Sequence, residues 1–441
     1  MDRTISEILE FVEENDIKFI RLQFCNIFGE LKNISIMSSQ LEKAFKYGIS
    51  FDAYAVGGFK NIEESDLFLV PDPSTLSILP WRPQEGGVAR FYCTIKTPEG
   101  EIFEGDTRHL LMETTKKLLK YDYRPKVGPE CEFYLFKTDD EAEPILIPQD
   151  NAGYFDIAPF DKGENIRRDI CLTLEEMGLT PESSHHETGP GQNEIDFLFD
   201  NPIESADNFI TLKTVVKTIA NLNGLHASFM PKPLINKSGS GLHINLSLFK
   251  GDKNIFEVSS GSHSKEAESF IAGILYRIRE ITAILNPTVN SYKRFGGYEA
   301  PKYITWSHKN RSQLIRIPAS KGKYSRMELR SPDSTCNPYL AFMVLIEAGL
   351  EGIKKERKLQ EALNANTYNV ENKESLEVLP KNLGEALEIM KKSEFVKSVL
   401  GEYVFNKFVD SKEEEWEIYK DKWESDDETS DWEINNYFYK Y

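Results

Sequence analysis

Residues 129–136, Pro-Glu-Cys-Glu-Phe-Tyr-Leu-Phe, combine strand-forming aromatics with two carboxylates only two positions apart. Successive strand side chains point to opposite faces, so Glu130, Glu132 and Tyr134 share one face while Cys131, Phe133 and Leu135 share the other. Like charges at that spacing repel, and burying them without partners is costly. A strand of this kind fits only where its acidic face is wet or meets cations.

The same pattern recurs along the chain. In GQNEIDFLF, Glu194 and Asp196 alternate with Ile195, Phe197 and Phe199, and Glu187 lies just upstream in HHETGPG. In SGLHINLSLF, His243, Asn245 and Ser247 alternate with Leu242, Ile244, Leu246 and Leu248. In SRMELRSP, Arg326, Glu328 and Arg330 alternate with Met327 and Leu329. Each strand has one face for a core and one polar face, the pattern of an antiparallel sheet lining a cleft. An ordinary solvated face collects Lys, Thr and Ser, whereas this one collects glutamates and a histidine. Carboxylates with one imidazole suit Mg²⁺ or Mn²⁺ rather than a thiolate-bound metal. Arg326 and Arg330 flank Glu328, and Arg311 and Arg316 follow in NRSQLIRIP, where guanidinium groups match carboxylate and phosphate geometry. Metals with arginines describe a phosphoryl-transfer site. Neither a Walker A sequence nor a dinucleotide fingerprint is present, and the glycines of SGSGLH are a weak phosphate signal.

Charge and composition narrow the class. The formal net charge of −18 argues against nucleic acid, which needs a basic surface. No apolar run approaches the roughly 18 residues of a membrane helix, and the charged start MDRTISEILEFVEEN reads as a helix rather than a signal peptide. The expectation is a cytoplasmic protein without a membrane partner. Five cysteines stand singly, with no paired spacing for a structural zinc or a disulfide framework.

The 441 residues suffice for two or three domains of about 150 residues each. Thr4 and Glu7 form a capping-box pattern before an amphipathic helix, and strand-like runs from FIRLQFC to GVARFYCTIKT follow. This β-rich unit is expected to span 1–100. From residue 101 to 441 strands and helices alternate, with convincing helices at 206–222, 265–285 and 338–353, giving an α+β chain. Between Asp410 and Asp431, 11 acids and 3 bases read as a solvated helix face. The aromatic tail WEINNYFYKY packs on its own domain or docks on a neighbouring subunit; both stay open.

Six long blocks, PECEFYLF, HHETGPGQNEIDF, FMPKPLINKSGSGLH, NPTVNSYKRFGGYEAPKYITWS, NRSQLIRIPA and MELRSPDSTCNPYLAF, carry a resemblance over essentially the whole chain. They resemble glutamine synthetase, in its short bacterial and archaeal type I form. The resemblance implies an N-terminal β-grasp domain and a C-terminal catalytic domain whose curved antiparallel sheet is flanked by helices, a glutamine synthetase/guanido kinase-like fold. It also implies a homododecamer of two stacked hexamers with active sites between subunits. The reaction implied is ATP-dependent ligation of ammonia to glutamate through γ-glutamyl phosphate.

Carried over by position, one metal site matches Glu132, Glu187 and Glu194, and the other Glu130, His243 and Glu328. Two or more Mg²⁺ or Mn²⁺ ions are implied, with ATP as co-substrate. Arg294, Arg311, Arg330, Gly239 and His243 match positions around glutamate and phosphate; Asn245, Ser247, Arg316 and Arg326 lie toward ATP. Asp52 matches the acid that attracts ammonium and takes its proton, and Glu299 the flap residue that closes over the intermediate. His186 and Gln192 receive no role beyond structural support.

Departures are confined to loops. Asp52 is followed by Ala53, Tyr54 and Ala55 where the family reads Gly-Ser-Ser, and the flap at Arg294–Glu299 is one residue shorter than usual. Lys60 stands where many short type I enzymes carry an arginine that mediates glutamine inhibition, and control by adenylylation is not expected. A glutamate–amine ligase using a polyamine, and a non-catalytic regulatory relative, are the competing readings. Nitrogen-regulatory proteins are expected as possible partners.

Overall fold

A computed structural model describes residues 4–60, 65–83, 85–257, 263–369, 373–422 and 429–441. The N-terminal part runs α1 (Ile5–Glu14), β1 (Ile17–Cys25), β2 (Leu31–Met37), α2 (Leu41–Tyr47), β3 (Ile49–Asp52), β4 (Asp66–Pro71), β5 (Ser77–Ile78) and β6 (Gly87–Lys96). Thr4 caps α1 as its sequence predicts: its hydroxyl accepts from Glu7 N, and the Glu7 carboxylate accepts from Thr4 N at 2.6 Å. Ile8 and Val12 of α1 are buried, while Ile5 in the first turn is exposed. The sheet has the order β2-β1-β6-β4-β3, with β1 and β6 parallel at its centre and β5 on the side of β6. This is the mixed sheet of a β-grasp unit, with Ile20, Leu22, Ala89 and Phe91 in its core.

The remainder comprises α3 (Thr107–Leu119), β7 (Tyr123–Thr138), β8 (Pro144–Pro148), α4 (Glu164–Glu176), β9 (Pro181–His186), β10 (Gln192–Phe197), α5 (Pro202–Leu222), β11 (Leu225–Ser228), β12 (Leu242–Lys250) and β13 (Lys253–Asn254). It continues with α6 (Lys265–Leu285), β14 (Trp306–His308), β15 (Ile315–Ile317), β16 (Met327–Leu329), α7 (Pro338–Lys354), α8 (Leu383–Lys391), α9 (Glu394–Lys422) and α10 (Asp431–Glu433). The second sheet follows the path β14-β15-β16-β12-β7-β10-β9, with β8 and β11 also on β7. Its pairs are antiparallel except β14 with β15 at the edge. The long strand β7 is the spine. Its apolar face, Cys131, Phe133 and Leu135, is fully buried together with Ile195 and Ile244, so the helices cover one face of the sheet and leave the acidic stripes on the other.

A buried polar junction fixes the two sheets relative to each other. Arg108 reaches Asp72 at 3.0 Å and Asp207 at 2.9 Å, and Tyr92 of β6 donates to the Asp207 carbonyl at 2.9 Å. The aromatic tail packs on its own chain: the Phe438 ring lies 4.9 Å from Phe136, and His226 Nε2 lies 2.8 Å from the Phe438 carbonyl. Residues 423–428 of the acidic stretch, and the first three residues of the chain, lie outside the described residues.

Candidate active site

Strand pairing turns the separate polar stripes into one patch. His243 of β12 stands opposite Glu130 of β7, and Asp196 of β10 stands opposite Glu130 on the other side. The next row joins Glu132, Glu194 and His185 across β7, β10 and β9. On the other flank Asn245 pairs with Glu328 of β16, which pairs with Arg316 of β15. These rows floor a cleft of about 740 Å³ whose walls include Glu187, Gly239, Arg294, Glu299, Arg311, Arg316, Arg326 and Arg330.

The expected second metal set comes together: atoms of Glu130, His243 and Glu328 lie within 4.8 Å of one another. His243 Nδ1 is 3.5 Å from Glu130 and 3.9 Å from Glu328. The first set is arranged differently from its expected trio. Glu194 groups with Glu132 and His243, and separately with Glu187 and His185. His185 Nε2 is 2.9 Å from Glu187 and 3.7 Å from Glu194.

The electrostatics separate acids that have cations from acids that lack them. Glu328 is fully buried between Arg316 at 2.5 Å and Arg330. Burial pushes the Glu130 carboxyl up, but hydrogen bonds from His243 and Asn245 Nδ2, the latter at 2.8 Å, bring it down to about 2. Glu194, by contrast, is pushed well up by burial and by the charges of Asp196 and Glu132, and Asp196 rises to about 6 through burial and Glu130. Glu132 is raised by burial as well, despite its neighbour His243. Hard oxygen donors whose own protein charges are unbalanced fit one or more divalent cations. The donor set therefore fits Mg²⁺ or Mn²⁺.

Supporting contacts hold these carboxylates in place. Gly241 N donates to Glu132 at 2.8 Å, and Gln192 Nε2 donates to Glu132 at 3.3 Å and to the Gly239 carbonyl at 3.1 Å. His186 is buried, with Nε2 3.0 Å from Asp150 and Nδ1 2.6 Å from the Glu187 carbonyl. Burial works against a charged ring here, but the hydrogen bonds with Asp150 and the Glu187 carbonyl, and the Asp150 charge, raise the imidazole above its ordinary value. These contacts fit structural support, the default for His186 and Gln192, to which spacing alone assigns no role.

The glycines of SGSGLH serve close packing. A Cβ on Gly239 would lie 2.6 Å from Arg294 Cγ and 2.6 Å from the Pro231 carbonyl, and one on Gly241 would lie 2.6 Å from Arg294 Nη2. Arg294 can therefore reach the Ser331 and Pro332 carbonyls at 2.9 and 3.2 Å and still line the cleft. Arg330 is 2% exposed, and its Nη2 lies 3.6 Å from Glu299. Glu299 and Tyr298 both adopt positive φ in a turn closed by Gly296 N to Ala300 O at 2.9 Å, and the Tyr298 hydroxyl donates to the Asn236 carbonyl at 2.9 Å. Arg326 Nε holds Asn245 at 2.8 Å.

Five sequence-predicted residues are not among those lining the cleft: Asn245 and Glu328, which touch the lining residues Glu130, Arg326 and Arg316, and Asp52, Lys60 and Ser247. Asp52 is exposed at the end of β3 and accepts from Tyr54 N at 3.0 Å. Lys60 sits 5.6 Å over the Phe103 ring and 5.9 Å from that of Tyr403. Ser247 is buried on β12 opposite Lys126. Conversely, His185, Tyr154 and Phe155 line the cleft without having been singled out; the Phe155 ring lies 4.8 Å from His185. Stepping back by two from Glu187 along β9 picks out His185 rather than His186, which is the signal that finds it.

Two family models match the chain: "Glutamine synthetase, beta-Grasp domain" over residues 16–98 and "Glutamine synthetase, catalytic domain" over residues 104–437. A glutamine synthetase of Clostridium saccharobutylicum is 49% identical over 445 residues, covering 99% of both chains. One of Methanosarcina mazei is 49% identical over 424 residues, covering 95% of each, and one of Staphylococcus aureus is 45% identical with 99% of each covered. A solved structure described as "GmaS/ADP complex-Conformation 1" superposes with a TM-score of 0.87 at 28% identity, over 99% of both chains.

Proposed function

The chain belongs to the glutamine synthetase family, and from that premise we propose how its cleft ligates ammonia to L-glutamate. The enzyme is a glutamate–ammonia ligase that consumes ATP and yields glutamine, ADP and phosphate. The γ-carboxylate of glutamate is a poor electrophile. It first takes the γ-phosphoryl group of ATP, and ammonia then attacks the γ-carbonyl carbon of the resulting acyl phosphate, expelling phosphate.

Glu130, Glu132, Glu187, Glu194, His243 and Glu328 would hold two or more Mg²⁺ or Mn²⁺ ions. Such ions, when bound, neutralise phosphate oxygens and make the γ-phosphorus more electrophilic. Arg330 and Arg311 stabilise negative charge on the transferred group, while Arg294, Gly239 and His243 orient glutamate. Asn245, Ser247, Arg316 and Arg326 are assigned to the nucleotide by family position, and Arg316 and Arg326 line the cleft; that GmaS, of the same fold, forms a complex with ADP supports a nucleotide site but not these residues individually. Glu299 closes over the acyl phosphate and keeps water out. Asp52 attracts ammonium and accepts its proton, leaving neutral ammonia to attack.

The observation that carries this reading is the register that sets His243 among Glu130, Glu132 and Glu328 beside buried Arg330. Asp52 lies outside the cleft of its own chain, which supports active sites completed by a neighbouring subunit in a dodecamer of two stacked hexamers. The division is a β-grasp domain over 1–100 and a catalytic domain over 101–441. No helix among the described residues is long and apolar enough to cross a membrane. The proposed location is the cytoplasm, and the acidic charge supports an enzyme that binds no nucleic acid. Nitrogen-regulatory proteins are the proposed partners beyond the substrates.

The test is phosphate release by the purified protein with ATP, Mg²⁺ and glutamate, comparing ammonium with putrescine and other small amines, alongside Asp52→Ala. Ammonium-dependent turnover lost in the variant supports the reading. Turnover only with a larger amine moves the enzyme to the amine-ligase branch, and none with any amine favours a regulatory relative.

A further inference from the structure

A second cavity, of about 430 Å³, lies between β1, the start of β2, α5 and the last two residues of the chain. Its wall carries Arg21, Lys32, Lys213, Lys217 and Lys440 against one acidic side chain, Glu30. Five cationic side chains against Glu30 and the α-carboxylate of the last residue, Tyr441, leave a local excess of three positive charges in a chain whose net charge is −18. Glu30 is already engaged by Lys440 and by Lys32 at 2.9 Å.

Lys213 and Lys217 are one turn apart on α5 and both line the cavity, so their side chains share a face about 6 Å apart at Cβ. Their hydrogen-bond partners are backbone carbonyls. Lys213 Nζ donates to Ser334 O at 2.6 Å, and Lys217 Nζ to Lys440 O at 2.7 Å. Among the described residues no carboxylate forms an ion pair with either nitrogen within 4.0 Å. The Phe229 and Tyr441 rings lie 5.4 and 5.7 Å from Lys213 Nζ. Each ammonium keeps two further N–H donors, and a desolvated like-charged pair without a counter-ion is costly. Burial, then the charge of Lys213, draws the Lys217 ammonium down to about 7, and burial lowers Lys213 as well.

We propose that this cavity binds a compact dianion of the phosphate class, inorganic phosphate or a small phosphate monoester, bridging the Lys213 and Lys217 ammonium groups beneath Lys440 and Tyr441. A tetrahedral oxyanion accepts from both ammonium groups at once, and its two charges balance theirs. The anion stands apart from the catalytic cleft, since none of its ligands lines that cleft.

The catalytic cleft also takes phosphate, so the test is a difference measurement. Thermal unfolding of the full chain is followed in phosphate, in glycerol phosphate and in chloride at matched ionic strength, for wild type and for Lys213→Met/Lys217→Met. The variant must retain ammonium-dependent ligase turnover. At about 100 times its Kd one of the phosphate compounds raises the wild-type Tm by about 3 °C more than the variant's, and which one does so identifies the ligand. Equal shifts in both proteins overturn the proposal. Should the variant fail to fold, crystals of the wild type grown in phosphate decide: tetrahedral density within hydrogen-bond reach of both Nζ atoms supports the site, and a cavity holding only water overturns it.

Discussion

His243 stands directly across the sheet from Glu130, with Nδ1 3.5 Å from that carboxylate. Its other nitrogen lies 3.7 Å from Glu132, the next acid along the same strand face. One imidazole therefore touches both carboxylates of the β7 stripe, so neighbouring acids with different partners can coexist on a single strand.

The unbalanced acids make a prediction about stability. Burial and the charges of Asp196 and Glu132 work against the Glu194 carboxylate in the metal-free protein. Glu194→Gln raises the metal-free Tm, by about 1–2 kcal/mol in unfolding free energy. It also abolishes most of the stabilisation by Mg²⁺ and lowers turnover at least about 100-fold. Calorimetry with and without Mg²⁺, together with initial rates, checks both signs.

Gly239→Ala places a methyl carbon 2.6 Å from Arg294 Cγ and from the Pro231 carbonyl. One of these groups must shift, at a cost of about 1–3 kcal/mol. The expected outcome is a KM for glutamate raised roughly tenfold or more with KM for ATP little changed, measured by steady-state kinetics. Equal changes in both constants would mean a general loss of fold rather than displacement of Arg294.

Asp52 sits on β3 outside its own cleft, whereas Arg330 is buried within the cleft floor. Asp52→Ala and Arg330→Ala are each inactive alone. If sites form between subunits, dissociating and co-assembling the two in equal amounts restores activity to about a quarter of the sites, because each site needs one intact contributor from each chain. Continued inactivity of a verified mixed oligomer would place both residues in one chain's site.

Lys217 carries a pH prediction. Its folded pKa of about 7 lies below the ordinary 10.5. Between those values the unfolded chain binds a proton the folded one has released, so stability rises with pH across that window; below pH 7 the penalty is constant. Lys217→Met is therefore more stable than wild type at pH 7, and the advantage shrinks toward pH 10. Urea unfolding at pH 7, 8, 9 and 10 measures it.

Lys60 keeps the charge of the arginine it replaces but not the planar fork. Glutamine inhibits the wild type weakly, and Lys60→Arg lowers the inhibitory concentration by roughly tenfold, read from initial rates against added glutamine. Strong inhibition of the wild type that disappears in Lys60→Ala would overturn this.

Much of the fold was legible because its signals are local. The capping box at Thr4, the period-two stripes at Glu130, Glu194, His243 and Glu328, and the apolar helices behind them each depend on a few adjacent residues. The arrangement of the acids was not legible to the same degree. Glu132, Glu187 and Glu194, expected as one trio, line one cleft, and the pairing of β9 with β10 adds His185 beside Glu187 and Glu194, which the sequence reading did not single out.

The sequence by itself determined the strand faces, the donor types and the family likeness, since side-chain alternation and chemistry are properties of short segments. Only the tertiary structure decided which acid meets which cation, why Gly239 and Gly241 must lack a side chain, and that Lys213 and Lys217 share a cavity with the chain's last residues. Those facts depend on register and packing between residues more than a hundred positions apart, such as Glu130 with His243, which no local pattern encodes.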